Sequence, residues 1–380
     1  MGETSTAARD PTIQVPCIHA ADQHQRSMNK ECPMNSCLVP PYILDRIIGH
    51  GTERQRDCAR STLNHVKSLR LNAGVSTRAA QSVGSVSAQT GRPDRSVHDA
   101  QQDMRLPGVL TRGEGQAATG DLAVDEAYDA LGATYAFFWK VLGRHSIDGK
   151  GLPLVGSVHY GQAYENAFWN GEQMVFGDGD GEIFNRFTIA LDVVAHELTH
   201  GVIDSEAALA YVNQSGALNE SLSDVFGILT KQYALQQTAE QSDWIIGAGL
   251  LTDAVNGQGL RSMSAPGSAY DDPLLGKDPQ PAHMDDFVET RDDNGGVHIN
   301  SGIPNRAFHL ASTALGGFAW EKAGLIWYDT LCDRRLSNDA SFVDFARLCV
   351  DRAQQRYGQG SAEANAVAKA WDDVGVRIAS

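Results

Sequence analysis

The chain has 380 residues and 42% hydrophobic content, enough for two or three compact units and inconsistent with disorder throughout. Its formal charge of −16 is uneven: residues 1–100 carry 12 Lys/Arg against 9 Asp/Glu, the remainder 19 against 38. Such an acidic body repels nucleic acid and anionic membrane surfaces, and no run of about 18 apolar residues offers a spanning helix.

Residues 1–37 are polar and irregular and read as a disordered extension. Met1 to Ala21 carries Glu3, Arg9 and Asp10 without a continuous apolar stretch, so no secretory signal peptide is expected. The protein then either stays in the cytoplasm or leaves by another route. Met28 and Met34 offer alternative starts. Four of the six cysteines (Cys17, Cys32, Cys37, Cys58) fall early, unlike a disulfide-dense scaffold. Cys17, His19, His24, Cys32 and Cys37 could hold a metal, but their spacing fits no common zinc template, and a disordered tail is the alternative. Whether Cys332 and Cys349 pair is open from spacing alone.

At Pro40-Pro41-Tyr42 the character changes, since proline's missing N–H is unpaired at a helix start anyway. Ile43, Leu44, Ile47 and Ile48 recur at helical spacing, and Leu63, Val66 and Leu69 predict a second short helix, giving a leader over 38–73. Residues 74–104, rich in Ser, Gly, Thr and Gln, predict an exposed linker with a processing site. A mildly basic leader before an acidic body is compatible with docking of one on the other.

Within the body, Asp121 to Leu142 has helical periodicity. Strand-like segments follow at Leu154 to Tyr160, Gln173 to Phe176 and Glu182 to Phe187, the last after the turn Gly177 to Gly181. Helices are predicted over 188–203, 215–234, 304–315, 318–332, 340–356 and 361–374. The fold class is therefore α+β, strands first and helices after, with lobes at 105–203 and 204–380.

The chemistry concentrates at the join. His196-Glu197-Leu198-Thr199-His200 lies in an apolar helical run, so residues four apart aim both imidazoles at one ion. Glu197 can reach water at that ion without coordinating it. Twenty residues on, Glu220 and Asp224 lie one turn apart on an otherwise apolar helix, where carboxylates need partners. His196, His200 and Glu220 are a three-ligand set with an open fourth position, the arrangement of a catalytic Zn²⁺. Asp224 is expected to accept from a ligand imidazole and fix its tautomer, with Asn219 in the same supporting set.

From these motifs the chain resembles the thermolysin-like zinc endopeptidases over residues 105–375. The resemblance is carried also by Val158 to Gly161, Asn166 to Gly171, Phe176 to Gly181, Gly216 to Asp224, Leu260 to Met263 and Asp293 to Gly302. It implies a two-lobed zincin with the zinc helix in the cleft between a β-rich and a helical lobe. It further implies Asn166 and Ala167 as an edge that pairs with extended substrate, and Arg261 as a grip on a substrate carbonyl. Tyr211 and His298 would stabilise the oxyanion, His298 alternatively giving a proton, and Asp293 would orient that histidine. Phe187, Val193 and Leu260 would wall an apolar pocket for the residue after the cut.

The leader resembles the short inhibitory propeptide of the protealysin-like subgroup, whose Pro-Pro segment (here Pro40, Pro41 and Tyr42) lies in the cleft. The implied protein is a zymogen acting on peptide substrates, with its own propeptide as a partner in cis and neither nucleic acid nor membrane. Calcium-dependent relatives carry further acids, but Lys231, Ile245, Ala248 and Gly249 stand where those would be needed, so the double calcium site is expected to be absent. A non-catalytic zincin and a zinc exopeptidase are the rival readings. Intact catalytic residues count against the first, and the lack of a visible site for a free amino terminus counts against the second.

Overall fold

The computed structural model describes residues 36–73 and 90–378. The cysteine–histidine cluster from Cys17 to Cys32 and the central part of the expected linker lie outside the described residues.

The leader begins as a two-residue strand, β1 (Ser36–Cys37), followed by α1 (Pro41–His50) and α2 (Glu53–Ala73). Pro41 takes the first helical position and Pro40 is extended at φ −64° and ψ 147°, so neither needs an N–H. Ile43, Leu44 and Ile47 are buried, each contributing about 1.5–3 kcal/mol to holding the leader down. The expected short second helix is a long one of 21 residues.

Two expectations are corrected here. The expected disordered extension over 1–37 does not reach its end, because Ser36 and Cys37 pair with Trp169 and Phe168 in the main sheet. The expected linker over 74–104 ends before Arg95–Asp99, which forms β2 with Val97 fully buried. Its alternation (Arg95, Val97 and Asp99 against Ser96 and His98) hides a strand behind polar residues, because its neighbours supply most of the apolar surface.

The sheet runs β1-β5-β6-β4-β2-β3, with β3 at Val109–Gly113, β4 at Leu154–Val158, β5 at Ala167–Trp169 and β6 at Met174–Phe176. The β2–β4 and β4–β6 pairs are parallel and the others antiparallel. The expected strand at Glu182 to Phe187 is instead a single bridge from Phe184 to Leu251 and a 3₁₀ turn over Phe187–Ile189.

Helix α3 (Leu122–Leu142) packs on this sheet, and its N-cap Asp121 accepts from Ala123 N–H (2.9 Å) and Val124 N–H (3.3 Å). His159 clamps this helix start to the following turn. Its Nδ1 lies 2.9 Å from Asp178 and its Nε2 3.1 Å from Asp121. The Asp178 hydrogen bond, with Asp121 adding and partial burial opposing, raises the imidazole to about 9. Because the folded value exceeds the unfolded one of about 6.5, this stabilisation is full below pH 6.5 and is lost as pH rises through about 9. With screening it amounts to about 2 kcal/mol. Thermal melts from pH 6 to 9 should therefore fall more steeply for the native chain than for His159→Gln, and parallel curves would remove the clamp.

Helices α4 (Leu191–Ser205) and α5 (Asn213–Leu235) form the join, both buried over most of their length. A Cβ on Gly227 would meet Asp192 O at 2.7 Å, so this glycine sets how closely the two helices approach. Beyond them lie α6 (Asp293–Asn300), α7 (Gly302–Leu315), α8 (Ala323–Leu331), α9 (Phe342–Tyr357) and α10 (Ala362–Asp373). The expected helix at 318–332 is broken into a 3₁₀ turn and α8 at Lys322, whose φ −129° and ψ −73° are not helical. Cys332 and Cys349 are free thiols. No helix among the described residues is long and apolar enough to cross a membrane.

Candidate active site

His196 and His200 stand one turn apart on α4, and Glu220 faces them from α5, all three buried. Their donor atoms lie within 4.8 Å of one another. The two Nε2 atoms are 3.1 Å apart, and each is 3.5 Å from a Glu220 oxygen.

Each ring has its other nitrogen committed. His196 Nδ1 donates to Asp224 Oδ1 at 2.8 Å and His200 Nδ1 to Asn219 Oδ1 at 2.8 Å, which leaves both Nε2 lone pairs facing the common point. Burial lowers His196 to about 4 and His200 to about 3, outweighing the partners that oppose it, so both are neutral imidazoles at pH 7. Glu220 Oε2 is buried with no hydrogen-bond partner among the described residues. Two neutral imidazoles and a carboxylate converging this way fit a divalent zinc ion.

Asp224 is a hub. Besides His196 it accepts from Arg261 Nε and Nη2 (2.8 Å each) and from Asn305 Nδ2 (2.8 Å). Burial alone would raise its carboxyl, but Arg261 and then His196 hold it well below the usual range. Sequence reasoning placed Asp224 beside a histidine but missed Asn305, which no motif spacing ties to α5.

Opposite the ligands, Glu197 Oε2 accepts from Trp169 N–H at 3.1 Å. Tyr211 Oη donates to Glu220 and lies 3.1 Å from His298 Nε2. His298 Nδ1 donates to Asp293 Oδ1 at 2.6 Å, and its backbone N–H to Asp293 Oδ2 at 2.9 Å. Burial opposes a proton on His298, but Asp293 and Glu220 outweigh it and raise the imidazole above its ordinary value. Residues 293–296 all have positive φ, from 51° to 87°, and a Cβ on Gly295 would meet Asn213 Oδ1 at 2.2 Å. This turn lets Asp293 fold back onto His298, and the Gly-Gly pair is its sequence signature.

The cleft holds the leader. Leu38 N–H donates to Ala167 O (3.1 Å), Val39 N–H to Asn166 Oδ1 (2.9 Å), and Asn166 Nδ2 to Val39 O (3.2 Å). His298 Nε2 lies 3.0 Å from Cys37 O, and Arg261 Nη1 3.4 Å from Leu38 O. These contacts come from Cys37 to Val39, just ahead of the prolines expected to fill the cleft. Pro40 and Pro41 carry no N–H to add to such a ladder and instead turn the chain into α1. Tyr42 packs beside Tyr270. Leu38 is fully buried in the same apolar cluster as Phe187, Val193 and Leu260.

Comparison with known proteins agrees with this geometry. Residues 83–204 match the thermolysin metallopeptidase catalytic domain, residues 207–376 its alpha-helical domain, and residues 37–78 the protealysin propeptide. An extracellular metalloprotease of Pectobacterium carotovorum subsp. carotovorum is 60% identical over 341 residues, covering 90% of this chain and 96% of the relative. Protease PrtS of a Photorhabdus strain is 48% identical over 343 residues, covering 90% and 92%. The precursor of protealysin, a metalloproteinase from Serratia proteamaculans, superposes with a TM-score of 0.83 at 60% identity, covering 90% of this chain and all of that one. The chain belongs to the thermolysin family of metallopeptidases and carries a protealysin-type propeptide.

Proposed function

We propose that the leader is an inhibitor laid along the cleft as a substrate would be, and that its removal frees a zinc endopeptidase acting at Glu197. The observation that carries this reading is the path of Cys37 to Val39. Their backbone bonds to Ala167, Asn166, Arg261 and His298 are those an extended peptide makes when it adds to a sheet edge. They present the Cys37 carbonyl to His298 and place Leu38 just after that bond. An apolar residue after the cut is supported by Leu38, which is buried in the same core cluster as Phe187, Val193 and Leu260.

Zinc held by His196, His200 and Glu220 would supply a Lewis acid that polarises the carbonyl. Glu197 takes the proton from the attacking water and delivers it to the departing amine. Tyr211 and His298 donate to the oxyanion, with Asp293 holding the His298 ring in place. Arg261 fixes the next carbonyl, and Asn166 with Ala167 holds the backbone in register. The relatives named extracellular support action outside the cell.

Intact mass followed over hours tests this. The native chain is expected to shed its leader by a cut ahead of β2, within 74–94, while Glu197→Ala stays whole. If the native chain also stays whole, self-processing is excluded.

Calcium is proposed to have no place beside the zinc helix. Lys231 Nζ reaches Asp192 (3.1 Å), both Asp243 oxygens (3.0 Å each) and Ile245 O (3.1 Å), filling the space with an ammonium. Burial works to lower this ammonium's pKa, but Asp192 and Asp243 reverse it and raise it. Lys231→Met would leave Asp192, 1% exposed, without its counter-charge, costing about 3 kcal/mol. Millimolar calcium should leave the melting temperature of the native chain unchanged; a strong rise would overturn this assignment.

A further inference from the structure

Glu165 is fully buried, yet among the described residues neither carboxylate oxygen has a hydrogen-bond partner. Its backbone N–H donates to Thr62 Oγ1 of α2 at 3.1 Å, so the leader helix lies over it. Nearby Asp180, 5% exposed, accepts three backbone N–H groups (2.8–3.0 Å) at Oδ1, while its Oδ2 has no hydrogen-bond partner among the described residues. Carboxylates are rarely buried unpartnered, because an uncompensated one is costly. The same helix brings Arg54 to this edge, where it pairs with Glu182 and donates to the Asp180 carbonyl at 3.1 Å. The leader thus lays a cation on the rim of the cluster and leaves its buried centre unmatched.

We propose that, once the leader has left, Glu165 and Asp180 form an acidic subsite that takes a lysine or arginine side chain of the peptide substrate, two or three residues beyond the cut bond. This rests on the cleft assignment above, from which the position follows. The Cys37 carbonyl faces His298, so Val39 is the second residue after that bond, and Val39 is held by Asn166, the neighbour of Glu165. A substrate lying in the same register carries its second and third residues past the acidic pair, where no α2 covers it. An ammonium or guanidinium there supplies the partner that both carboxylates lack in the precursor.

The precursor tolerates the cluster because Glu165 is neutral in it. Burial, with Asp180 adding, pushes its carboxyl up to about 9. Uncovered and wetted, it returns toward the ordinary value of about 4.3 and becomes a charge available to substrate.

The test uses the mature enzyme and blocked peptides with leucine after the cut and lysine, norleucine or glutamate at the second or third position beyond it. The native enzyme is expected to favour lysine over norleucine about fivefold in kcat/KM, mostly through KM, and to disfavour glutamate. Glu165→Gln should bring the lysine and norleucine values together while the norleucine rate stays unchanged, and 0.5 M salt should narrow the native preference. Asp180→Asn, which keeps the Oδ1 turn bonds, should reduce the preference in part. No lysine preference, or the same preference in Glu165→Gln, overturns the subsite. Failure of the native enzyme to cut even the norleucine peptide overturns the underlying cleft assignment instead.

Discussion

Glu197→Ala is expected to lower kcat/KM on a blocked internal peptide by about 10²–10⁴-fold, the range for loss of a positioned general base. Glu197 adjoins His196 on α4 without belonging to the proposed ligand set, and Trp169 N–H holds its Oε2 at 3.1 Å. The variant should keep its zinc, since His196, His200 and Glu220 and their partners Asp224 and Asn219 are untouched. Zinc content by atomic absorption and activity should therefore separate: metal near one per chain, turnover nearly gone. His200→Ala should instead lose both. Near-normal turnover in Glu197→Ala would remove it from the mechanism.

Asp224→Ala should do its damage through structure and metal together. The side chain receives two N–H groups of Arg261, one of Asn305 and one of His196, all without access to water. Its loss strands the Arg261 guanidinium, 1% exposed, at a cost of about 3–5 kcal/mol. It also frees the His196 ring, expected to weaken zinc binding about 10–100-fold. Denaturant melts and competition with a chelator read the two effects separately. Asp224→Asn keeps the shape and one acceptor, so it should fall between Asp224→Ala and the native chain. A variant with native stability and native zinc affinity would show that Asp224 is not the hub.

The leader and the zinc helix were legible for different reasons. His196 and His200 follow from helical period alone, and the burial of α4 leaves them no reading as a solvated face. Glu220 and Asp224 were legible because two carboxylates amid Leu218, Leu222 and Val225 demand partners. Pro40 and Pro41 announced a helix start through their missing N–H groups. The strands were less legible. Arg95–Asp99 reads as polar linker because a strand's identity lies in its neighbours, here β4 and β3, more than in its own five residues. Glu182 to Phe187 alternates like a strand but has Asp180 capping its start and only one bridge to pair with.

The sequence by itself pointed to the proposed ligand set and the proposed base, and to the helical lobe and the presence of a leader, since each depends on residue type at short spacing. Only the tertiary structure decided which part of the leader fills the cleft, that Arg261 and Asn305 meet on Asp224, and that Glu165 is buried beneath α2. Those contacts join residues between 37 and 261 positions apart, from Arg261 and Asp224 to His298 and Cys37. No local period encodes such pairs. They form when the sheet edge, the two central helices and the leader close on one apolar core.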